Sequence, residues 1–404
     1  MHTQTTAYKV SAPWPTRRVE LASLFLSLLN VALQEIPAMS LAYAQFELKL
    51  NCDVLTLLVD ILDDRKTLLS FMHTCRFTYA AGIQKLLSLP VSLSYKRDFA
   101  SFCDFVLGHA EVRPSLIREI SIDDASQVST EHLLRRFLQV LELARNLQKF
   151  TMACGDNLSE AAIAGALASN TSIKSVTIAS PNANTIAALR RWVSPVERAE
   201  VSLDESSLGG NENFKPALLD PTWVFASVRP TLQEITTHWA QSFSTGPSFP
   251  ATKTLNVHSY YPVAMGDVAR AFPNLSRLHV AFEQGFDAEE LERERGRNST
   301  IEERWESLDY VGGDIGSVFV LALACRVKHL DLTVPRRCHN PETLIATILE
   351  ATRPPQLTMR FAVRSADLDH MPASLRAASA SVTHLDITYH VPSSGTSVRN
   401  FIVR

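Results

Sequence analysis

Cysteine is scarce in this sequence: six residues in 404, at positions 52, 75, 103, 154, 325 and 338, with no Cys-x-x-Cys pair. That excludes a disulfide framework and leaves buried free thiols in a reducing compartment, cytoplasmic or nuclear, as the expectation. An excess of basic charge is also lacking. Lys and Arg number 39 against 42 Asp and Glu, for a net charge of −3. Neither half is strongly basic, so the electrostatic footprint of a nucleic-acid binder is missing. The twelve histidines are scattered without metal-ligand spacing. No apolar run is long and clean enough to span a bilayer, so no membrane partner is expected. The nearest approach is "RRVELASLFLSLLNVAL" (17–33), which Glu20 and Asn30 interrupt. It reads as a packed or partner-seeking helix rather than a targeting segment.

The signatures of catalysis are absent as well. There is no P-loop, GxGxxG, HExxH or GxSxG. "YVGGDIGS" (310–317) is glycine-rich but lacks the lysine and spacing of a phosphate cradle, and reads as a loop. Cys338 and His339 are adjacent in "RRCHN", which suits no shared metal without further ligands. The paired acids of "SIDDAS" (121–126) fit a turn or a helix N-cap. No catalytic residue, metal or cofactor is expected, and the chain does not read as an enzyme.

What is present is a repeating phrase. Apolar residues make up 46% of the chain and charged ones 20%, so it is globular and long enough for a large core in two parts. From residue 116 onward, an apolar residue, two polar, an apolar, one more and an apolar recur. The clearest copies are "IREISI" (117–122), "LQKFTM" (147–152), "IKSVTI" (173–178), "VERAEV" (196–201), "LQEITT" (232–237), "LSRLHV" (275–280), "VKHLDL" (327–332) and "VTHLDI" (382–387). Weaker ones are "TKTLNV" (252–257), "WESLDY" (305–310) and "PPQLTM" (354–359). The average step is about 26 residues, within the range of leucine-rich repeats. Between copies lie helical patterns, such as "EHLLRRFLQVLELARNL" (131–147), "EAAIAGALASN" (160–170) and "PETLIATILEATRPP" (341–355).

One strand-plus-helix unit leaves its apolar face uncovered, and stacking in series gives one continuous core. The spacing therefore predicts an α/β chain: a small N-terminal helical domain, then an irregular leucine-rich-repeat solenoid with parallel strands on the concave side and helices outside. The asparagine that usually closes such units is mostly missing, and an ordinary doubly wound α/β domain is the competing architecture. "FDAEELERERGRNSTIEERWESL" (286–308) breaks the phase and reads as a solvated helix or an insertion. Positions between the inward strand residues face outward. Arg277, His279, His329, Asp331, His384 and Asp386 are thus candidates for the concave binding face. His258, His279, His329 and His384 all fall on or beside the phrases and read as solvated polar positions.

Ahead of the repeats, "DVLTLLVDILDDRKTLLSFMHTCRFTYAAG" (53–82) carries two helical apolar patterns. Val54, Leu55, Leu58, Ile61 and Leu62 form the first. Leu68, Leu69, Met72 and Cys75 form the second, after "DDRK" turns the chain. So small a bundle cannot bury apolar residues on more than one face by itself and needs a partner surface. The stretch resembles an F-box. "LNCDVL" (50–55) takes the place of the family's opening, with Asn51 and Asp53 where the family has Pro and Glu. Leu58 and Leu62 follow, and "TLLSFMHTCRFTY" (67–79) supplies the Cys75-Arg76 pair and the aromatic Tyr79. The resemblance implies docking to a Skp-type adaptor and, through it, a cullin scaffold, while the repeats hold an unknown protein substrate for ubiquitin transfer. It divides the chain into a tail with uncertain helices (1–48), an F-box-like domain (49–90) and the solenoid (91–404). Two readings stand beside it: a helical cap covering the first repeat, and a binding scaffold without a ubiquitin role. Cys75 is expected to be an inert packed thiol.

Overall fold

The computed structural model describes residues 51–403, except 129, 154–157, 204–218, 284–286, 301, 303, 336–337, 339, 362–380 and 390–399. The expectations for residues 1–48, for Cys154 and for His339 lie outside the described residues. The chain divides into two compact units, one ending at Leu86 and one beginning at Leu87.

The first unit contains helices α1 (Cys52–Ile61) and α2 (Arg65–Met72) and all but the last two residues of α3 (Arg76–Ser88). Side-chain caps set the breaks. Asn51 accepts from the Asp53 amide at 2.9 Å, and Asp64 accepts from the Thr67 amide at 2.7 Å. Lys85 of α3 donates to the Asp60 carbonyl at 2.9 Å and pairs with Asp63 at 3.0 Å. It thereby places a cation at the C-terminal end of α1, where the helix dipole favours one. Gly82 lets α3 approach α2, since a Cβ there would run into the Met72 side chain.

The second unit is a series of strand-and-helix coils. It begins with β1 (Val91–Leu93), α4 (Lys96–Leu107), α5 (Arg113–Leu116), β2 (Glu119–Ile122), α6 (Glu131–Leu143) and β3 (Lys149–Ala153). It continues with α7 (Leu158–Ala168), β4 (Ser175–Ala179), α8 (Ala183–Leu189), β5 (Arg198–Ser202), α9 (Pro221–Val224), β6 (Glu234–His238) and β7 (Thr254–Ser259). Next come α10 (Met265–Ala271), β8 (Arg277–Phe282), α11 (Ala288–Ser299), β9 (Ser307–Asp314), α12 (Ile315–Val320) and β10 (Arg326–Val334). Last are α13 (Pro341–Thr352), β11 (Gln356–Phe361), β12 (His384–Tyr389) and β13 (Asn400–Val403). Among the described residues thirteen strands form one sheet in sequence order, parallel from β1 to β12, with β13 antiparallel to β12. An order that never reverses has no topological switch point, which rules out the doubly wound alternative. The fold is α/β and consistent with a repeat solenoid.

The register stacks like residues. One inward row runs Ile120, Phe150, Val176, Ala199, Ile235, Leu255, Leu278, Val311, Leu330, Leu357 and Leu385. From Ile120 to Leu357 these side chains are at most 3% exposed. Behind them aromatic edges pack, Phe99 of α4 against Phe137 of α6 at 5.3 Å, and Phe243, in the segment between β6 and β7, against Phe272 at the end of α10 at 5.9 Å.

The turns that enter the strands solve the problem left by the missing closing asparagines. A polar side chain before each of several strands reaches back to a carbonyl of the preceding coil. Asn146 donates to Ser115 at 2.7 Å, Asn170 to Ala144 at 3.1 Å and Asn274 to Pro250 at 3.0 Å. Ser172, Thr231, Thr252 and Thr383 do the same to Leu147, Val196, Leu232 and Pro355 at 2.7–3.0 Å. Each bond satisfies a carbonyl that the parallel ladder leaves over.

One expectation is settled between its two alternatives and one needs correction. The charged stretch at 286–308 holds the solvated helix and not an insertion. It supplies α11, whose Leu291 and Asn298 lie seven residues apart on one buried face. The Asn298 amide accepts from the Met265 N–H at 3.0 Å and donates to the Val320 carbonyl at 2.9 Å, bridging α10 and the end of α12. Trp305 donates its indole N–H to the Phe272 carbonyl at 2.9 Å. The charges that dominate its composition occupy only the solvent side. Likewise "YVGGDIGS" is not a loop, because it ends β9 and begins α12, with Asp314 capping the Ser317 amide at 2.9 Å. Gly313 sits at φ +153° against the Val280 carbonyl, where a Cβ would collide with backbone.

Gly313→Ala is expected to lower the unfolding free energy by about 2–4 kcal/mol, read by urea titration. Gly165→Ala, in α7 with open space at its Cβ, is expected to be neutral or stabilising by up to about 1 kcal/mol.

Candidate functional site

The helical unit keeps a large part of its apolar surface in solvent. Along α1, Val54, Leu57 and Ile61 are 41%, 59% and 47% exposed, at the i, i+3, i+7 spacing of one helix face. Leu69 of α2 and Phe77 and Tyr79 of α3 are also exposed. Of the other residues singled out from the sequence, Arg76 and Cys75 are exposed, while Leu55, Leu58 and Leu62 are half-buried. Leu68 and Met72 are buried, as is Val59, so these three serve packing rather than an outer surface. Leu57 and Phe77 were missed by sequence reasoning because the F-box pattern does not single them out.

Cys75 is not a packed thiol. It is exposed at the start of α3, and the Thr78 hydroxyl and amide beside its sulfur hold its pKa below the ordinary thiol value. Cys103 and Cys325 do match the expectation, with burial pushing each to about 11. Cys338 is half-buried, with burial again raising it to about 11, and Cys52 is exposed.

On the larger unit, the strand positions between the inward ones line up across the sheet. One row runs Arg198, Glu234, Thr254, Arg277, Tyr310, His329, Gln356 and His384. The adjoining row runs Glu200, Thr236, Asn256, His279, Gly312, Asp331, Thr358 and Asp386. The six outward candidates therefore fall in two neighbouring rows. Arg277, His384 and Asp386 are exposed, and His279 and His329 half-buried. Asp331 is the exception, at 4% exposure.

Asp331 is buried because its neighbours close over it. The Tyr310 hydroxyl donates to Asp331 Oδ2 at 3.1 Å, and Arg360 pairs with the same oxygen at 2.7 Å. Asp331 Oδ1 has no hydrogen-bond partner among the described residues. Gly312 makes the closure possible: a Cβ in that row would strike the Tyr310 hydroxyl and crowd His279. The Arg277 guanidinium lies over the Tyr310 ring at 4.5 Å, and the His329 ring meets its edge at 5.3 Å. Burial, with Asp331 beside it, pushes the Tyr310 phenol up to about 12. His329 also reaches Thr358 Oγ1 at 2.9 Å.

A second cluster lies across β5 to β8. His238 and His258 stack at 4.8 Å, and His279 continues the stack at 5.8 Å. His238 Nε2 is 3.4 Å from Glu200, whose carboxyl is held below the usual range chiefly by that hydrogen bond. Burial, reinforced by His238 and His279, pushes His258 down to about 4, and burial lowers His279 too. These rings are half-buried and stacked rather than the solvated row the sequence suggested. His384 takes no part in that stack. His238, Trp239 and Tyr260 escaped sequence reasoning because they fall at or just beyond the ends of their phrases, where the pattern carries no signal. Among the described residues no group of three or more His, Cys, Asp or Glu is placed to hold a metal ion, and no helix is long and apolar enough to cross a membrane.

The His258 shift fixes the sign of a pH effect. Its folded pKa lies below the ordinary value of 6.5, so the unfolded chain takes up the proton first. The associated stability is complete above about pH 6.5 and is lost as pH falls toward 4. Allowing for solvent screening at this half-exposed ring, the loss is about 1–2 kcal/mol. Urea unfolding of the His258→Gln variant should fall less between pH 7.5 and pH 4.5 than that of the parent.

No family model matches this chain, and no curated protein matches it. Among solved structures it is similar to a chain in the crystal structure of the Rad7 and Elc1 complex in yeast. That match has a TM-score of 0.38 and 9% sequence identity, and covers 90% of this chain and 97% of that one.

Proposed function

We propose that this chain is a non-catalytic substrate-recognition adaptor of the cullin–RING ubiquitin-ligase type. In this reading residues 49–90 form the F-box-like head that docks a Skp-type adaptor and, through it, a cullin scaffold. Residues 91–404 form an irregular leucine-rich-repeat solenoid whose outward strand face, on the concave side, binds a target protein. The observation that carries the reading is the apolar face of α1, where Val54, Leu57 and Ile61 remain in solvent on a unit that keeps Val59, Leu68 and Met72 for its own packing. An apolar helix face left open at this spacing suits a partner's groove. Leu69, Phe77 and Tyr79 enlarge the exposed apolar surface. Such an adaptor works in the cytoplasm or nucleus, which agrees with six cysteines and no disulfide framework.

A second reading, a protein-binding scaffold without a ubiquitin role, draws on one specific observation. Asn51 stands where the F-box pattern has proline, and it acts as the α1 cap.

A pull-down of the full chain with a purified Skp-type adaptor separates the two. The parent should retain the adaptor. The double variant Leu57→Asp, Ile61→Asp should retain about tenfold less or worse, with little change in melting temperature, since both side chains are already in solvent. A parent chain that retains no adaptor removes the ligase reading and leaves the scaffold.

A further inference from the structure

We propose that the C-terminal ends of β6, β7 and β8 form a docking surface for an arginine-bearing peptide segment of the target protein. The inference deepens the target-binding half of the proposed function and rests on it.

The surface is built around an aromatic pair, an exposed tyrosine and a half-exposed tryptophan. Trp239 stacks on Tyr260 with ring centroids 6.0 Å apart and planes 8° from parallel. Tyr260 is 48% exposed and Tyr261 59%. Trp239 is there because its backbone is left-handed, at φ +61°, which a non-glycine residue adopts only at an energetic cost. Its amide is pinned to the His258 carbonyl at 2.6 Å. In a regular strand the residue after His238 would turn inward. The left-handed step instead leaves the indole half-exposed against Tyr260.

Among the described residues, the carboxylates near this pair are not matched by a Lys or Arg on β6 or β7. Glu283, exposed just past β8, bonds through its backbone amide to the Ser259 carbonyl at 2.9 Å, next to Tyr260 in the chain. It makes no ion pair among the described residues. Glu200 of β5, its side chain 46% exposed, reaches His238, whose ring in turn lies 6.5 Å from Trp239. β6 and β7 contain no Lys or Arg. The stacked His258 stays neutral near pH 7, so the middle of the histidine stack adds no positive charge. An exposed phenol, a half-exposed indole and a free carboxylate at Glu283, with no Lys or Arg on β6 or β7, make the site complementary to a cation among the described residues.

Arginine fits better than lysine. A guanidinium is planar, lies flat on an indole or phenol ring, and presents paired N–H donors to a carboxylate. The sheet already shows the arrangement within itself, where Arg277 covers the Tyr310 ring at 4.5 Å.

The test is fluorescence anisotropy with the full chain and a labelled Gly/Ser peptide carrying two arginines, with no Skp-type adaptor present. Its citrulline twin keeps the shape and loses the charge. Saturable binding of the arginine peptide is expected, about tenfold or more weaker for the citrulline twin and for Trp239→Ala and Glu283→Lys. Glu283 is solvent-exposed, so its variant keeps the test decisive if Trp239→Ala fails to fold. Glu119→Lys, at the far end of the sheet, should bind as the parent does. Equal binding of the citrulline twin, no effect of Glu283→Lys, tighter binding of a labelled oligothymidylate, or no saturable binding would each overturn the proposal. None of these outcomes bears on adaptor retention, so failure here and failure of the adaptor reading are told apart.

Discussion

A parallel ladder from β1 to β12, with the same inward positions stacked strand after strand, constrains everything else in the larger unit. Each strand is only three to nine residues long and buries its apolar side chains only because neighbours supply the same positions on both sides. A parallel ladder also leaves backbone groups unpaired where each coil turns into the next strand. Asn146, Asn170 and Asn274, with Ser172, Thr231, Thr252 and Thr383, satisfy them by reaching one coil back. The same asparagine therefore sets a turn and joins two repeats.

Because the inward positions are mostly apolar, the histidine and carboxylate clusters of the strands lie on the other face, and the register then decides which groups meet. Outward residues one strand apart lie within about 5 Å of one another. His238, His258 and His279 thus form a stack although about twenty residues separate each from the next, and desolvation keeps the middle ring neutral. On the next strand Gly312, paired with His279, leaves a gap in the row. Tyr310 leans across it to Asp331, and Arg360 closes the other side. A buried carboxylate, with one oxygen hydrogen-bonded twice and the other without a partner among the described residues, sits beside that one missing side chain. The smaller unit follows the opposite logic. Three short helices have too little interior for their apolar residues, and the surplus on α1 stays in water.

Much of the architecture was legible because periodicity survives in the chain. The recurring phrases from "IREISI" to "VTHLDI" mark β2 to β8 and β10 to β12, with the weaker "WESLDY" marking β9. Charge density at α11 left a solvated helix and an insertion both open, because two buried residues, Leu291 and Asn298, are outnumbered by solvated ones; the helix is what forms. Glycine content misled at β9, because a strand that must pass close to the Val280 carbonyl and under the Tyr310 ring needs the residues a loop would use. Cys75 misled because the general tendency of free cysteine to be buried says nothing about a particular helix start.

The sequence alone determined that coils repeat at about 26 residues, that their strands are parallel neighbours, and that a helical head with surplus apolar residues precedes them. Those properties are periodic or compositional, so they can be read along one dimension. Only the tertiary structure decided which outward residues meet: that His238 joins His258 and His279 while His384 does not, that Asp331 is buried, and that Trp239 stacks on Tyr260. Those outcomes depend on inter-strand register and on one left-handed backbone step. Neither leaves a trace in the order of residues until the strands are set side by side.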